Sequence, residues 1–364
     1  MILKKNILIS LYLILSSSIV NAEFSVVSYG WELFERVSDA RTVSLSYSTI
    51  AYPFGSNGTS IINPAIILNN KDKFGITHQS KIAGTVNSEF LSFKKKIRSN
   101  FFIDISLLYE GISDIPDTRN VLLDWGEDGV FGTFDPGEGN GMLDDGERLD
   151  IDKIKYFSQK QFGIHSGINK PLLGGNIGIG VKFLLHLLGD NYAMGAGLDF
   201  GYYRRFNKTN IGLVLYNMPS SGLLWDNGNI EVSKSTIALG VNREIFFKKY
   251  SLKFNPMFKI HFLGDNKSLD SYSLLNQIFY DINSGLEISF KDKLFFRISR
   301  IQSGAISSGI GVSWTNLGFD YAFVKDTSPL GIDNNHLISI NVSLLWIKNK
   351  IFDKNLNIKR FYYD

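Results

Sequence analysis

The feature that most constrains this chain is a strict two-residue alternation, repeated in one segment after another. In Asn176 to His186, Ile177, Ile179, Val181, Phe183 and Leu185 fall on one face of an extended strand. Gly178, Gly180, Lys182 and His186 fall on the other, because successive strand side chains point to opposite sides. Phe101, Ile103, Ile105, Leu107 and Tyr109 oppose Asp104, Ser106 and Glu110 in the same way, and Leu317, Phe319, Tyr321 and Phe323 oppose Gly318, Asp320 and Ala322. The pattern runs on to Ile338, Ile340, Val342, Leu344 and Trp346. A soluble sandwich also alternates, so segment length and the connections between segments must decide.

From Lys73 onward the sequence predicts about fourteen segments of about ten residues, the length that crosses a bilayer at the usual tilt. Their centres are Ile76, Leu91, Ile105, Gly163, Gly180, Leu198, Leu213, Leu239, Asn255, Gly285, Phe296, Gly309, Asp320 and Asn341. An even number closes without the unpaired edges that lipid does not tolerate. Tight polar turns follow the even segments, and longer connections follow most odd ones: Gly111 to Asp152, Pro219 to Glu231, Gly264 to Leu275 and Lys325 to Asn335. Short periplasmic turns and long external loops are the arrangement of an outer-membrane barrel; the short Gly189-Asp190-Asn191 connection departs from it. The expectation is an all-β fold, a transmembrane antiparallel β-barrel of about 14 strands over residues 71–347.

The rest of the chain fits that address. Residues 1–22 read as a cleaved secretory signal peptide, with Lys4 and Lys5 before an apolar run and Val20-Asn21-Ala22 at the cleavage site. Loss of the two lysines takes the formal charge from +3 to about +1, which gives no electrostatic case for nucleic acid. There is no cysteine, so neither disulfides nor thiol chemistry enter. Residues 23–70 are polar and irregular and are predicted to lie inside the lumen as a hatch or plug; 348–364 form a basic C-terminal tail. With the apolar faces toward lipid, Asp104, Lys182, Asp199, Lys253, Lys259, Glu287, Arg297 and Asp320 are predicted to face the lumen and to pair there.

The loop 113–152 is predicted to lie outside the cell. Between Asp124 and Asp150 it holds nine carboxylates. Glu138, Asn140, Gly141, Asp144 and Glu147 match positions 3, 5, 6, 9 and 12 of a calcium loop, with Asp135 beside the vacant first position. Asp124, Asp128, Gly129 and Asp135 give a second partial match at positions 1, 5, 6 and 12. Two readings stand: a structural calcium ion, or a solvated acidic loop. No other cofactor is expected. The five histidines have no metal-ligand spacing, and no nucleophile elbow or phosphate loop occurs, so no enzyme is expected.

Ala40-Arg41 through Asn63-Pro64-Ala65, the acidic GEGNGMLDDGERLD, the LLGDNYAMGAGLDFG strand, the NMPSSGLLWDNG segment and the closing DYAFVKD with LGIDNNHLISINVSL resemble the PorV/PorQ family, outer-membrane barrels related to FadL-type fatty-acid transporters. The resemblance covers nearly the whole mature chain. It implies a fourteen-stranded barrel with an N-terminal hatch in the bacterial outer membrane, set in outer-membrane lipid, and a role as an accessory of type IX-like protein secretion, with secreted proteins or secretion-system subunits as partners. The alternative is FadL-like passive uptake of hydrophobic molecules such as long-chain fatty acids. Inward-facing Leu184, Phe295 and Tyr203 favour that second reading, and ordered acidic loops favour the first.

Overall fold

The computed structural model describes residues 24–26, 30–53, 58–66, 72–98, 101–263, 272–274, 278–301, 304–325 and 334–350. The signal segment 1–22, parts of the predicted hatch and the tail from residue 351 lie outside the described residues.

Fourteen antiparallel strands form the wall. They are β1 Lys73–Lys81, β2 Val86–Arg98, β3 Phe101–Asp117, β4 Lys155–Leu172, β5 Gly175–Leu188, β6 Asn191–Phe206 and β7 Thr209–Trp225. There follow β8 Ile230–Arg243, β9 Leu252–Leu263, β10 Ile278–Phe290, β11 Leu294–Ile301, β12 Ile306–Ser313, β13 Leu317–Lys325 and β14 Asn335–Ser343. Each pairs with the next, and β14 returns to β1, from His336 opposite Ser80 to Ser343 opposite Lys73. The sheet is closed, so apart from one break in β7 its backbone polar groups are satisfied within the wall. All fourteen predicted centres fall inside these strands.

The predicted faces hold. Along β5, Gly178, Gly180, Lys182, Leu184 and His186 are buried, while Ile179 and Phe183 are exposed. Inside the wall, residues 30–53 and 58–66 fill the lumen with single-turn helices: α1 Leu33–Arg36, α2 Ala40–Val43 and α3 Thr59–Ile62. Asp39 caps α2 by accepting from the Thr42 N–H at 3.0 Å, which satisfies one of the free donors of the first turn. Trp31, Leu33, Phe34, Val37, Ile50, Ile61 and Ile62 pack in one apolar cluster with Leu184, Val214 and Leu223 of the wall.

Inward glycines make room for this plug. A Cβ on Gly178 would lie 2.1 Å from the backbone of Pro64, and one on Gly212 would lie 2.3 Å from the Ile50 carbonyl. Polar wall groups then tie the plug down: the Ala40 N–H donates to Ser339 Oγ at 2.8 Å, Asn283 donates to the Ser46 carbonyl at 2.8 Å and Tyr216 to the Ile62 carbonyl at 2.6 Å.

Three predicted boundaries are corrected. The loop predicted from Gly111, with its acidic part from residue 113, begins only after Asp117, because β3 stays paired that far. Pro219 to Glu231 is not a long loop, because β7 continues to Trp225 and β8 begins at Ile230. The wall rises on this side, and Pro219 falls where the ladder is already broken. The last strand stops at Ser343 and residues 344–350 are helical, so Leu344 and Trp346 belong to no strand. At the opposite end of the wall, Phe24–Val26 adds to β8 as a short parallel strand at Ile230–Val232.

Candidate functional site

Two features of the lumen carry chemistry. The first is an ionic lock near the short-turn end. Glu287, on β10, is fully buried. It accepts a two-pronged contact from Arg41 of α2, Nε to Oε2 at 2.8 Å and Nη2 to Oε1 at 2.7 Å. Arg297 of β11 donates from Nε to Oε2 at 2.7 Å, and the Tyr52 hydroxyl donates to Oε1. Arg297 Nη1 stands 2.7 Å from Asp320 Oδ1 of β13, an ion pair without an aligned hydrogen bond. Two guanidinium groups thus meet two carboxylates, and a planar fork on a carboxylate fixes orientation as well as charge. Burial alone would lower the Arg41 pKa, but Glu287, Tyr52 and Asp320 together outweigh it and hold it above the ordinary value. The Tyr52 hydroxyl is pushed up by burial and then by Glu287.

The second feature is a break in the wall beside a cavity. Leu215 pairs with Phe200, but the next β6 partner is Ala196, opposite Gly222. Residues 216–221 of β7 therefore face only 197–199 of β6. On the other side the register shifts between Tyr216 and Ser220, so 217–219 face only Ser235. Extra residues on one strand bend it and leave the local ladder open. Asn217 bridges the break from within: its N–H donates to Asp199 Oδ1 at 2.9 Å, and its Oδ1 accepts from Lys182 at 2.7 Å and Ser221 at 2.9 Å. Lys182 also pairs with Asp199 at 2.8 Å. Tyr216, Lys182 and Asp199 in turn line a cavity of about 310 Å³, together with Phe34, Ile62 and Lys259. Met218, at the break, is exposed on the wall.

Of the eight residues predicted to face the lumen, Asp104, Lys182, Asp199, Glu287, Arg297 and Asp320 are buried there, and Lys259 lines the cavity. Asp104 lies toward Gly58 and Ser60 of the plug, with no aligned hydrogen bond. Lys253 lines a cavity at the mouth of the lumen with Arg41, Tyr52 and Glu287 and pairs there with Asp292 of the β10–β11 turn at 2.7 Å. Leu184 packs against the plug and Tyr203 packs against Ala65 and Ile66. Phe295 lies between two cations, 4.8 Å from Arg41 and 5.4 Å from Arg297. Sequence reasoning missed Arg41, Tyr52 and Asn217, each of which depends on a partner far along the chain or on a break in register.

The acidic loop is ordered by its own backbone. Asp124 accepts from the N–H groups of Gly139 and Gly141, each at 2.7 Å, and Glu147 accepts from Gly126 at 2.9 Å and Asp144 at 3.0 Å. Asp135 accepts from the Asp128 N–H at 2.8 Å. Glu138 accepts from Gly132 and Phe134, and Asn140 donates to Asp144. The Gly141 N–H holds the Asp124 carboxyl below its ordinary pKa. Among the described residues, no three carboxylate or imidazole side chains converge as a metal centre.

No protein-family profile matches the chain, and no curated protein matches it. Solved structures do. The toluene transporter TodX of P. putida is similar with a TM-score of 0.52 at 10% identity, over 84% of this chain and 98% of that one. A Pseudomonas aeruginosa FadL homologue gives 0.45 at 10%, over 84% and 98%. The Acinetobacter baumannii outer-membrane protein Omp33 gives 0.38 at 8%, over 76% and 100%. At such identities likeness concerns the fold alone, and only a score above one half carries weight. The chain is a closed fourteen-stranded antiparallel barrel with a plugged lumen, and it shares that barrel fold with TodX.

Proposed function

We propose that the chain passes hydrophobic small molecules across the outer membrane. The observation that carries this is the break between β6 and β7 next to a half-apolar lumen cavity. Phe34, Ile61, Ile62 and Tyr216 give that cavity its apolar wall, and Lys259, Asp199 and Lys182 give it polar anchors, the mixture expected of a small-molecule site. Support comes also from the fold shared with a toluene transporter. A molecule entering at the lumen cavity would leave sideways past Met218 and Asn217 into the bilayer, or downward past the ionic lock. The secretion-accessory role implied by the PorV/PorQ resemblance has no support in the fold comparison, and the uptake alternative replaces it.

The test is a deletion strain assayed twice. Loss of uptake of a labelled long-chain or monoaromatic hydrophobe, with normal surface export, is expected. Exported proteins held in the periplasm, with uptake unchanged, would return the secretion reading. We further propose that calcium orders the 113–152 loop from outside. Each of its carboxylates keeps lone pairs beyond the N–H bonds it accepts, and calcium takes several such hard oxygens.

A further inference from the structure

The formal charge is nearly balanced over the chain, but the fold sorts it along the barrel axis. Turns and adjoining strand ends at the short-turn end, residues 94–98, 169–176, 203–211, 243–253 and 290–295, hold fourteen Lys or Arg and only two acids, Glu244 and Asp292. The opposite end carries loop 113–152, with twelve Asp or Glu and two Arg. Net neutrality therefore hides a basic ring at one bilayer edge and an acidic crown beyond the other.

Among the described residues most of the ring is uncompensated. Lys170, Lys208, Lys248, Lys249, Lys291 and Lys293 are exposed, and among the described residues none has an ion pair; Lys253 and Arg205, by contrast, pair with Asp292 and Glu244. Large side chains turn outward at the same level. Trp314 is 60% and Tyr250 59% exposed, with Phe206, Phe246 and Phe247 beside them. Cations lie over these rings, Arg204 at 4.4 Å from Phe206 and Lys249 at 5.5 Å from Tyr250. Aromatic side chains at one level mark the interface of a bilayer, and long cationic side chains there reach their charge into the headgroup layer. The ring thus sits among headgroups and faces sideways.

We propose that this basic ring is a docking surface for anionic phospholipid headgroups in the inner leaflet of the outer membrane. Charge complementarity commits it to a phospholipid of net negative charge: six exposed ammonium groups without an ion pair among the described residues gather at this end of the wall, and a zwitterionic lipid brings no net charge to balance them. Such a shell orients the barrel and holds its short-turn end at a fixed depth, with the acidic crown kept away from the same lipids. Attraction of this kind is electrostatic and weakens with salt.

The test uses the full mature chain in vesicles that mix phosphatidylcholine with phosphatidylglycerol, one or the other brominated. Trp314 at the ring reports the neighbouring lipid through quenching. The expected result is a preference for phosphatidylglycerol over phosphatidylcholine of about threefold or more at low salt, falling toward one at about 0.5 M salt. The six-site variant K170Q/K208Q/K248Q/K249Q/K291Q/K293Q, confirmed as folded by its heat-modifiable gel mobility, is expected to show no preference. A wild-type ratio of one would overturn the proposal. So would a preference that survives in the variant or is insensitive to salt.

Discussion

Replacing Glu287 by Gln keeps the shape of a fully buried side chain and removes its charge. The wild-type cluster of Arg41, Arg297, Glu287 and Asp320 is neutral, and the variant leaves one positive charge in excess, buried among the remaining three. Removing one partner of a buried ion pair costs roughly 3–5 kcal/mol, because the other charge stays desolvated. The wall is closed by strand pairing that does not involve this group, so the cost falls on plug docking, where Arg41 loses both prongs of its contact. At about 1.4 kcal/mol per factor of ten, local opening of the plug rises by roughly two to three and a half orders of magnitude. Amide exchange by mass spectrometry over residues 40–52 reads this directly, since exchange tracks the opening free energy of a local unit. R41M/E287Q restores neutrality around the Arg297 and Asp320 pair. The double variant should therefore recover part of the loss, with a coupling of about 2–3 kcal/mol across the cycle. Equal exchange in wild type and E287Q, or strictly additive single effects, would refute the ionic lock.

Other expectations follow from single groups. Gly178→Ala places a methyl 2.1 Å from the Pro64 backbone, so it should displace the plug and speed exchange at residues 61–66, while Gly132→Ala in the loop should leave the plug unchanged. The Asp124 carboxyl is held below its ordinary pKa by the Gly141 N–H, so its contribution is present above the ordinary carboxylate range and is lost as pH falls through the depressed value. Protease cutting of the loop should rise on that acid limb, and Asp124→Asn should raise cutting at neutral pH and shrink the further rise in acid. Millimolar calcium should slow cutting of the same loop and chelation should restore it; identical rates would exclude an ordering role for the ion.

The wall was legible because an exposed apolar exterior and a packed plug inside both follow a period of two. Ile177 to Leu185 display it, and the structure keeps those faces. Strand ends were less legible. Leu223, Leu224 and Trp225 continue β7 above a break at Asn217 to Pro219, and the turn-forming Pro and Ser there read as a loop. The inward charges were visible as polar positions on alternating strands, but their partners were not. Arg41 and Glu287 are 246 residues apart, and Arg41 sits in a plug with no periodic signal. Charge segregation was hidden for a related reason: basic turns and acidic loop alternate along the sequence and separate only when the strands stand side by side.

Hydrophobic passage through the β6–β7 break is tested most directly by stapling it. The chain has no cysteine of its own, so Leu198→Cys with Met218→Cys places one thiol on each side of the break. Uptake of a labelled hydrophobe by cells bearing this variant should stop after treatment with a short bis-maleimide and persist after a mono-maleimide. Uptake that continues unchanged with the staple in place would contradict the account.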